Sequence, residues 1–143
     1  MSHLTKVRTK LNDPAKIQRA LAFLGLEYKK NSVIESLNKV PECDFVITNA
    51  GYWNVGLHRV KDGTFEVVGD SFAWGKMAEM PKLKNALKKA YGDKRKDAFA
   101  GILAQACAVT SAVLVAVAQG QKITVSDPDE DGIIRARVEE LTV

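Results

Sequence analysis

The sequence predicts an α+β fold, a mainly antiparallel sheet with helices packed on one face. Three observations predict it: an amphipathic helix begins at Pro14, a β-meander covers residues 44–70, and the second half of the chain contains two helices followed by a second hairpin. The expected order is β-α-β-β-β-α-α-β-β. At 143 residues the chain is the size of one domain, which we take to be residues 1–143.

The first strand and helix follow from local patterning. Residues 4–11 alternate polar and apolar side chains, as in an edge strand. Asp13 can accept from free N–H groups and Pro14 suits a first helical turn, so a helix begins there and ends at Gly25. Residues 28–42 lack a clear period and are expected to form a connector.

Three short apolar runs make up the meander: 45–47, 53–60 and 65–68. The pair Asp62-Gly63 is typical of a two-residue type I′ turn. That turn would place Arg59 opposite Glu66 and Val60 opposite Phe65.

A second helix is predicted from Met80-Pro81, ending near Gly92. Residues 98–121 then carry no charge, and we expect a helix buried on every side beneath the two hairpins. One alternative is a transmembrane helix, which the modest apolarity disfavours. Another is that residues 113–117 exceed what the sheet can cover and form a dimer contact.

Asp127, Asp129, Asp131 and Gly132 match the first half of a calcium loop. The position that should supply a glutamate is Val138, and the flanks predict strands. A hairpin turn that binds calcium at most weakly is therefore the favoured interpretation, and this turn predicts neither a metal site nor a cofactor.

The net charge of +4 is unevenly distributed. Residues 82–96 carry +6, whereas residues 127–143 carry −4, so we expect a surface divided into a basic and an acidic end. The basic segment suggests nucleic-acid binding as an alternative function, or an acidic protein partner. Its basic residues are Lys82, Lys84, Lys88, Lys89, Lys94, Arg95 and Lys96.

Cys43 and Cys107 are far apart and match neither a disulfide framework nor a zinc pattern, which favours a reducing compartment. The first residues lack the apolar core of a signal peptide. The expected location is the cytoplasm, with no membrane partner.

The sequence contains none of the motifs that define nucleophile elbows, P-loops or zinc proteases, so it predicts no catalytic constellation. Polar and aromatic residues of the meander could line a small-molecule or metal site, which is a further alternative. The candidates are His3, Trp53, Asn54, His58, Asp70 and Trp74.

Several short motifs resemble the family of hypothetical chloroplast reading frame thirty-five, also called domain of unknown function twelve fifty-seven. They are Met1-Ser2-His3, Ala20-Leu21-x-x-Leu24-Gly25, Trp53-Asn54-Val55-Gly56-Leu57, residues 65–70 with Trp74, and Asp131-Gly132-Ile133-Ile134-Arg135. The resemblance implies a small α+β protein of plastids, cyanobacteria and other bacteria, without an established activity, and makes the plastid stroma the alternative location to the cytoplasm. The positions that recur are His3, Asn54 (Asp in the family), Gly56, Asp70, Trp74, Asp131 and Gly132. The family's long helix is polar and this one is apolar, which favours self-association here.

These observations lead to one main hypothesis, a non-catalytic binding or adaptor protein that acts through protein–protein contacts, either with a separate protein partner or by self-association as a dimer. Nucleic-acid binding and small-molecule binding are the alternatives.

Overall fold

A computed structural model describes residues 4–34, 42–92 and 94–140. The strands and helices are β1 Leu4–Arg8, α1 Pro14–Phe23, β2 Tyr28–Ser32, β3 Cys43–Ile47, β4 Val55–Arg59, β5 Phe65–Asp70, α2 Ser71–Met77, α3 Lys84–Lys89, α4 Lys94–Ala118, β6 Gln121–Val125 and β7 Ala136–Glu140. A single 3₁₀ turn, Gly51–Trp53, precedes β4. The predicted α+β class is confirmed.

The five-stranded sheet has the order β1-β5-β4-β3-β2, and every neighbouring pair is antiparallel. One sheet face meets the helices in the main core, where Phe45, Leu57 and Val67 pack with residues of α1 and α4. A smaller cluster of Ile34, Cys43, Val46 and Val68 forms a second core. The strands β6 and β7 pair with each other in a separate hairpin.

The predicted start of α1 is confirmed, because Asp13 accepts the N–H of Ala15 at 3.0 Å and Pro14 is the first helical residue. Two elements were not predicted. Residues 28–32 form strand β2, although a connector was expected there. Residues 71–77 form helix α2. Residues 35–41 of that expected connector lie outside the described part of the chain. The second predicted helix begins later than Met80-Pro81, at Lys84.

The predicted register between β4 and β5 is wrong by one residue. Arg59 lies opposite Phe65, and His58 lies opposite Glu66. The loop is longer than a two-residue turn, because Val60 donates its N–H to the Thr64 carbonyl at 2.8 Å. Gly63 takes the left-handed conformation (φ 89°), while Asp62 accepts the N–H of Thr64 at 2.9 Å.

The small core is closely packed at Gly56, where β4 approaches Cys43. A Cβ atom on Gly56 would lie 2.8 Å from the Cys43 sulfur and 2.9 Å from Cγ2 of Ile34. Both contacts are shorter than van der Waals distance, so position 56 cannot hold a side chain unless its neighbours move.

We predict that Gly56→Ala lowers the free energy of unfolding by about 1–3 kcal/mol, because it overpacks a buried cluster. The matched control is Gly101→Ala in α4, where a Cβ would meet no atom within 4 Å. That change should raise stability by about 0.5–1 kcal/mol through helix propensity. Urea unfolding measures both. Equal stability of Gly56→Ala and the wild type would contradict the described packing.

Candidate functional site

Asn54, Asp70 and Trp74 lie together at the junction of β5 and α2, and their polar groups are used in stabilising that junction. One oxygen of Asp70 accepts the N–H of Ala73 at 2.9 Å, and the other accepts the Asn54 amide at 2.7 Å. Trp74 is fully buried and donates to the Thr5 hydroxyl at 3.1 Å. Asp70 is 3% exposed. The geometry assigns these residues to capping and anchoring α2.

The other members of the predicted small-molecule site lie elsewhere. His58 is four residues beyond Asn54 on β4, about 13 Å along the strand, and its Nδ1 is 3.2 Å from the Glu42 carbonyl oxygen. Trp53 packs on the small core, and the Lys29 ammonium lies 5.6 Å from its ring. His3 lies outside the described residues. Within the described ranges, no three His, Cys, Asp or Glu side chains gather as a metal site would require.

The predicted basic patch is divided between a turn, α3 and the start of α4, and three of its members are bound within the protein. Lys82 donates to the Phe23 carbonyl at 2.7 Å. Lys89 forms an ion pair of 2.8 Å with Asp131. Arg95 donates to the carbonyls of Leu87 and Ala90, both at 2.9 Å, and so closes the end of α3. Lys84, Lys88 and Lys94 are exposed and Lys96 is partly exposed.

The acidic turn lies against this basic segment, so the expected division into a basic and an acidic end is wrong. Asp127 is 3.9 Å from the Lys82 ammonium, and Asp131 pairs with Lys89. The physical reason is that the loop between β6 and β7 folds back onto α3 and the first half of α4, where opposite charges attract. Asp131 raises the pKa of Lys89 through its hydrogen bond.

Each aspartate of the calcium-like turn faces a different cation of the protein. Asp129 accepts the backbone N–H groups of Asp131 and Ile133 and the guanidinium of Arg135. Asp127 faces Lys82, and Asp131 faces Lys89. The predicted hairpin turn is confirmed by the pairing of β6 with β7, although its loop is longer than expected.

Gln105 attaches this hairpin to α4, a role that the sequence analysis did not predict. Its amide donates to the Gly132 carbonyl at 2.7 Å and accepts the N–H of Ile134 at 2.9 Å, as a neighbouring strand would. Ile134 thereby reaches the main core. The feature that could have indicated this role is a single amide side chain within a segment of mainly Ala, Val and Leu residues.

The helix α4 is buried in its first half and uncovered in its second. Phe99, Ile102, Leu103, Ala106 and Cys107 are buried. Of residues 108–118, all of them described, Ala116 alone is buried. Leu114, Val115 and Val117 are 52%, 56% and 63% exposed. The prediction of a helix buried on every side is therefore wrong for the segment 108–118, which we call the α4 tail.

Length explains the exposure of the α4 tail. With 25 residues α4 is about 37 Å long, whereas α1, with 10 residues, is about 15 Å long. The first turns of α1, at Asp13 and Lys16, lie beside Cys107 and Ser111 around one cavity of about 320 Å³. The helix thus continues past the end of its neighbour. We call the α4 tail and the β6–β7 hairpin together the apolar end, since Val138 of β7 is also 51% exposed.

By length and composition α4 could cross a membrane. Its most apolar stretch of 18 residues has a mean hydropathy of 2.0, and 28% of that stretch is buried. In this fold its first half contacts the sheet and α1 instead, with the Phe99 and Trp74 ring centroids 6.1 Å apart.

Comparisons with known proteins gave no match: no protein-family model matches this sequence, and no curated protein or solved structure matches it. The resemblance to the chloroplast reading-frame family stays a hypothesis.

We predict that Asp129→Asn removes part of the acid dependence of stability. Arg135 is the main reason why the pKa of Asp129 lies below its ordinary value of 3.8. A carboxyl group whose pKa is lower in the folded state than in the unfolded state stabilises the fold at a pH above its ordinary pKa. That stabilisation is lost as the pH falls through the pKa of the folded state. The variant should melt below the wild type at neutral pH, and the two should converge as the pH falls below 3.8.

Thermal unfolding across this pH range measures the effect. The matched control is Glu130→Gln, which removes one exposed charge from the same turn. Melting curves of Asp129→Asn that stay parallel to the wild type at every pH would show that the Asp129 carboxylate does not hold this turn.

Proposed function

We propose that this protein is a non-catalytic binding module that acts through protein–protein contact at its apolar end. The observation that carries the proposal is the exposure of Leu114, Val115 and Val117 on a helix that is anchored in the core. Contiguous exposed apolar surface on a folded domain marks an interaction site.

The spacing of the exposed residues supports this function. Leu103, Cys107 and Thr110 lie on the face of α4 that is turned toward the body, and Leu114 and Val117 continue the same i, i+4, i+7 pattern. A partner that packs on the α4 tail would therefore extend a helix face that already makes intramolecular contacts. Covering each of these half-exposed side chains stabilises a complex by about 1 kcal/mol.

The polar residues that could have served a catalytic or small-molecule site are used for stability. Asp70 caps α2, Asn54 holds Asp70, and Gln105 holds the hairpin. Their hydrogen bonds are made to the protein itself, which supports a role in contact rather than in chemistry.

A photoreactive phenylalanine analogue in place of Leu114 tests the proposal in the native host. We expect irradiation to join it covalently to another polypeptide, with a yield at least about tenfold above that of the control because contacts concentrate at buried interface positions. The control carries the same analogue at Ala104, which is exposed on the same helix but outside the α4 tail. Equal, background yields at both positions would contradict a binding surface here.

A second candidate function is nucleic-acid binding, and Tyr91 is the observation in its favour. Tyr91 is 78% exposed and lies between Lys88 and Lys94 in sequence, so one aromatic ring and several free lysines share this region. Bases stack on such rings while lysines neutralise phosphates.

Tyr91→Ala should then weaken binding of a single-stranded oligonucleotide by roughly tenfold or more, because a stacked base contributes about 1–3 kcal/mol. Fluorescence anisotropy at low salt measures it. The control, Lys122→Gln, removes an exposed positive charge from β6. If Tyr91→Ala binds as the wild type does, bases do not stack on Tyr91, and the observation that favours this second function is lost.

A further inference from the structure

We propose that the partner at the apolar end is a second copy of this chain, with the two α4 tails packed antiparallel about a twofold axis. This inference rests on the proposed protein-binding function and names its partner. In such an arrangement the same surface serves both subunits, so Leu114 and Val117 of one copy pack against the same residues of the other.

The distribution of charge selects this partner. Residues 98–121 carry no charge, so the α4 tail offers nothing that a strongly acidic or basic partner would recognise. Homodimer interfaces are more apolar than those of transient complexes between different proteins, and charged residues are depleted at their centres. The composition of the α4 tail is of that kind.

The rim around the α4 tail has paired charges of both signs. Lys122 lies opposite Glu139 in the β6–β7 register, and Arg137 is 3.3 Å from Glu139. Two identical rims of this kind do not repel each other. A bilayer with anionic lipids would instead favour a cluster of basic residues beside the apolar surface.

The anchoring of α4 also favours a second copy over a membrane. A span of the required length would have to include residues before 108, and Phe99, Ile102 and Leu103 are buried in the core. Withdrawing them would disrupt the contact with Trp74. Pairing of the α4 tails leaves that core intact and needs no rearrangement, so the surface is preorganised.

Sedimentation equilibrium on the purified full chain, from about 1 µM to about 1 mM, tests the inference. We expect a monomer–dimer equilibrium with a dissociation constant on the order of 10 µM, because a small apolar contact must offset the entropy of association. Leu114→Glu should raise that constant at least about tenfold, since it places a charge at the centre of the contact. Ala104→Glu, which adds the same charge to the exposed body of α4, should leave it unchanged.

Leu114 is already half exposed, so the variant should fold, and circular dichroism with a melting curve verifies this. A monomer over the whole range, or a dimer that persists in Leu114→Glu, would overturn the inference. So would flotation of monomers with phosphatidylcholine–phosphatidylglycerol vesicles. A monomeric pure protein whose position 114 still cross-links to a different protein in the host would reject the second copy but keep the protein-binding function. Absence of any adduct would reject both.

Discussion

Burial of the first half of α4 is the interaction on which the structure depends. Phe99, Ile102 and Leu103 belong to the same core as the inner face of the sheet, and α4 also contacts α1, α3 and β6. Trp74, whose position depends on the Asp70 cap of α2, packs beside Phe99. The sheet, the helices and the hairpin therefore meet at one helix. A cavity there would cost several kcal/mol, of order 3 for a deleted aromatic side chain.

The charges of this protein compensate one another across the fold. The basic and acidic segments are separated by thirty residues of sequence, yet Lys82 and Lys89 approach Asp127 and Asp131. These pairs are exposed, so each contributes little to stability. Their larger effect is on recognition, because they reduce the field that a polyanion would meet. The α4 tail, whose exposed side chains carry no charge, is consequently the more distinctive surface.

The sequence predicted what depends on local chemistry. The Asp13-Pro14 start of α1, the turn at Gly63 and the β6–β7 hairpin are all encoded by neighbouring residues. Strand β2 was missed because its residues, Tyr-Lys-Lys-Asn-Ser, are mostly polar, and its strand conformation depends on pairing with β3. The register of β4 and β5 depended on whether Gly63 alone or both turn residues adopt positive φ. The exposure of the α4 tail depends on the length of α1 relative to α4. The Gln105 contact depends on a loop that folds back from 27 residues away. The hydrophobic pattern of the sequence could therefore predict neither feature.

Because α4 is one continuous helix from Lys94 to Ala118, the exposed tail and the buried half move as a single rod. Its interior contains no proline, and Gly101 lies in the body, well before the tail begins. A torque applied at Val117 therefore reaches the buried Leu103 without an intervening proline or glycine, and the core packing of Leu103 resists it. The angle at which the α4 tail projects is thus set by the core packing of the buried half of α4, which includes the contact between Phe99 and Trp74. A molecule bound to the tail would be held in a fixed orientation relative to the sheet.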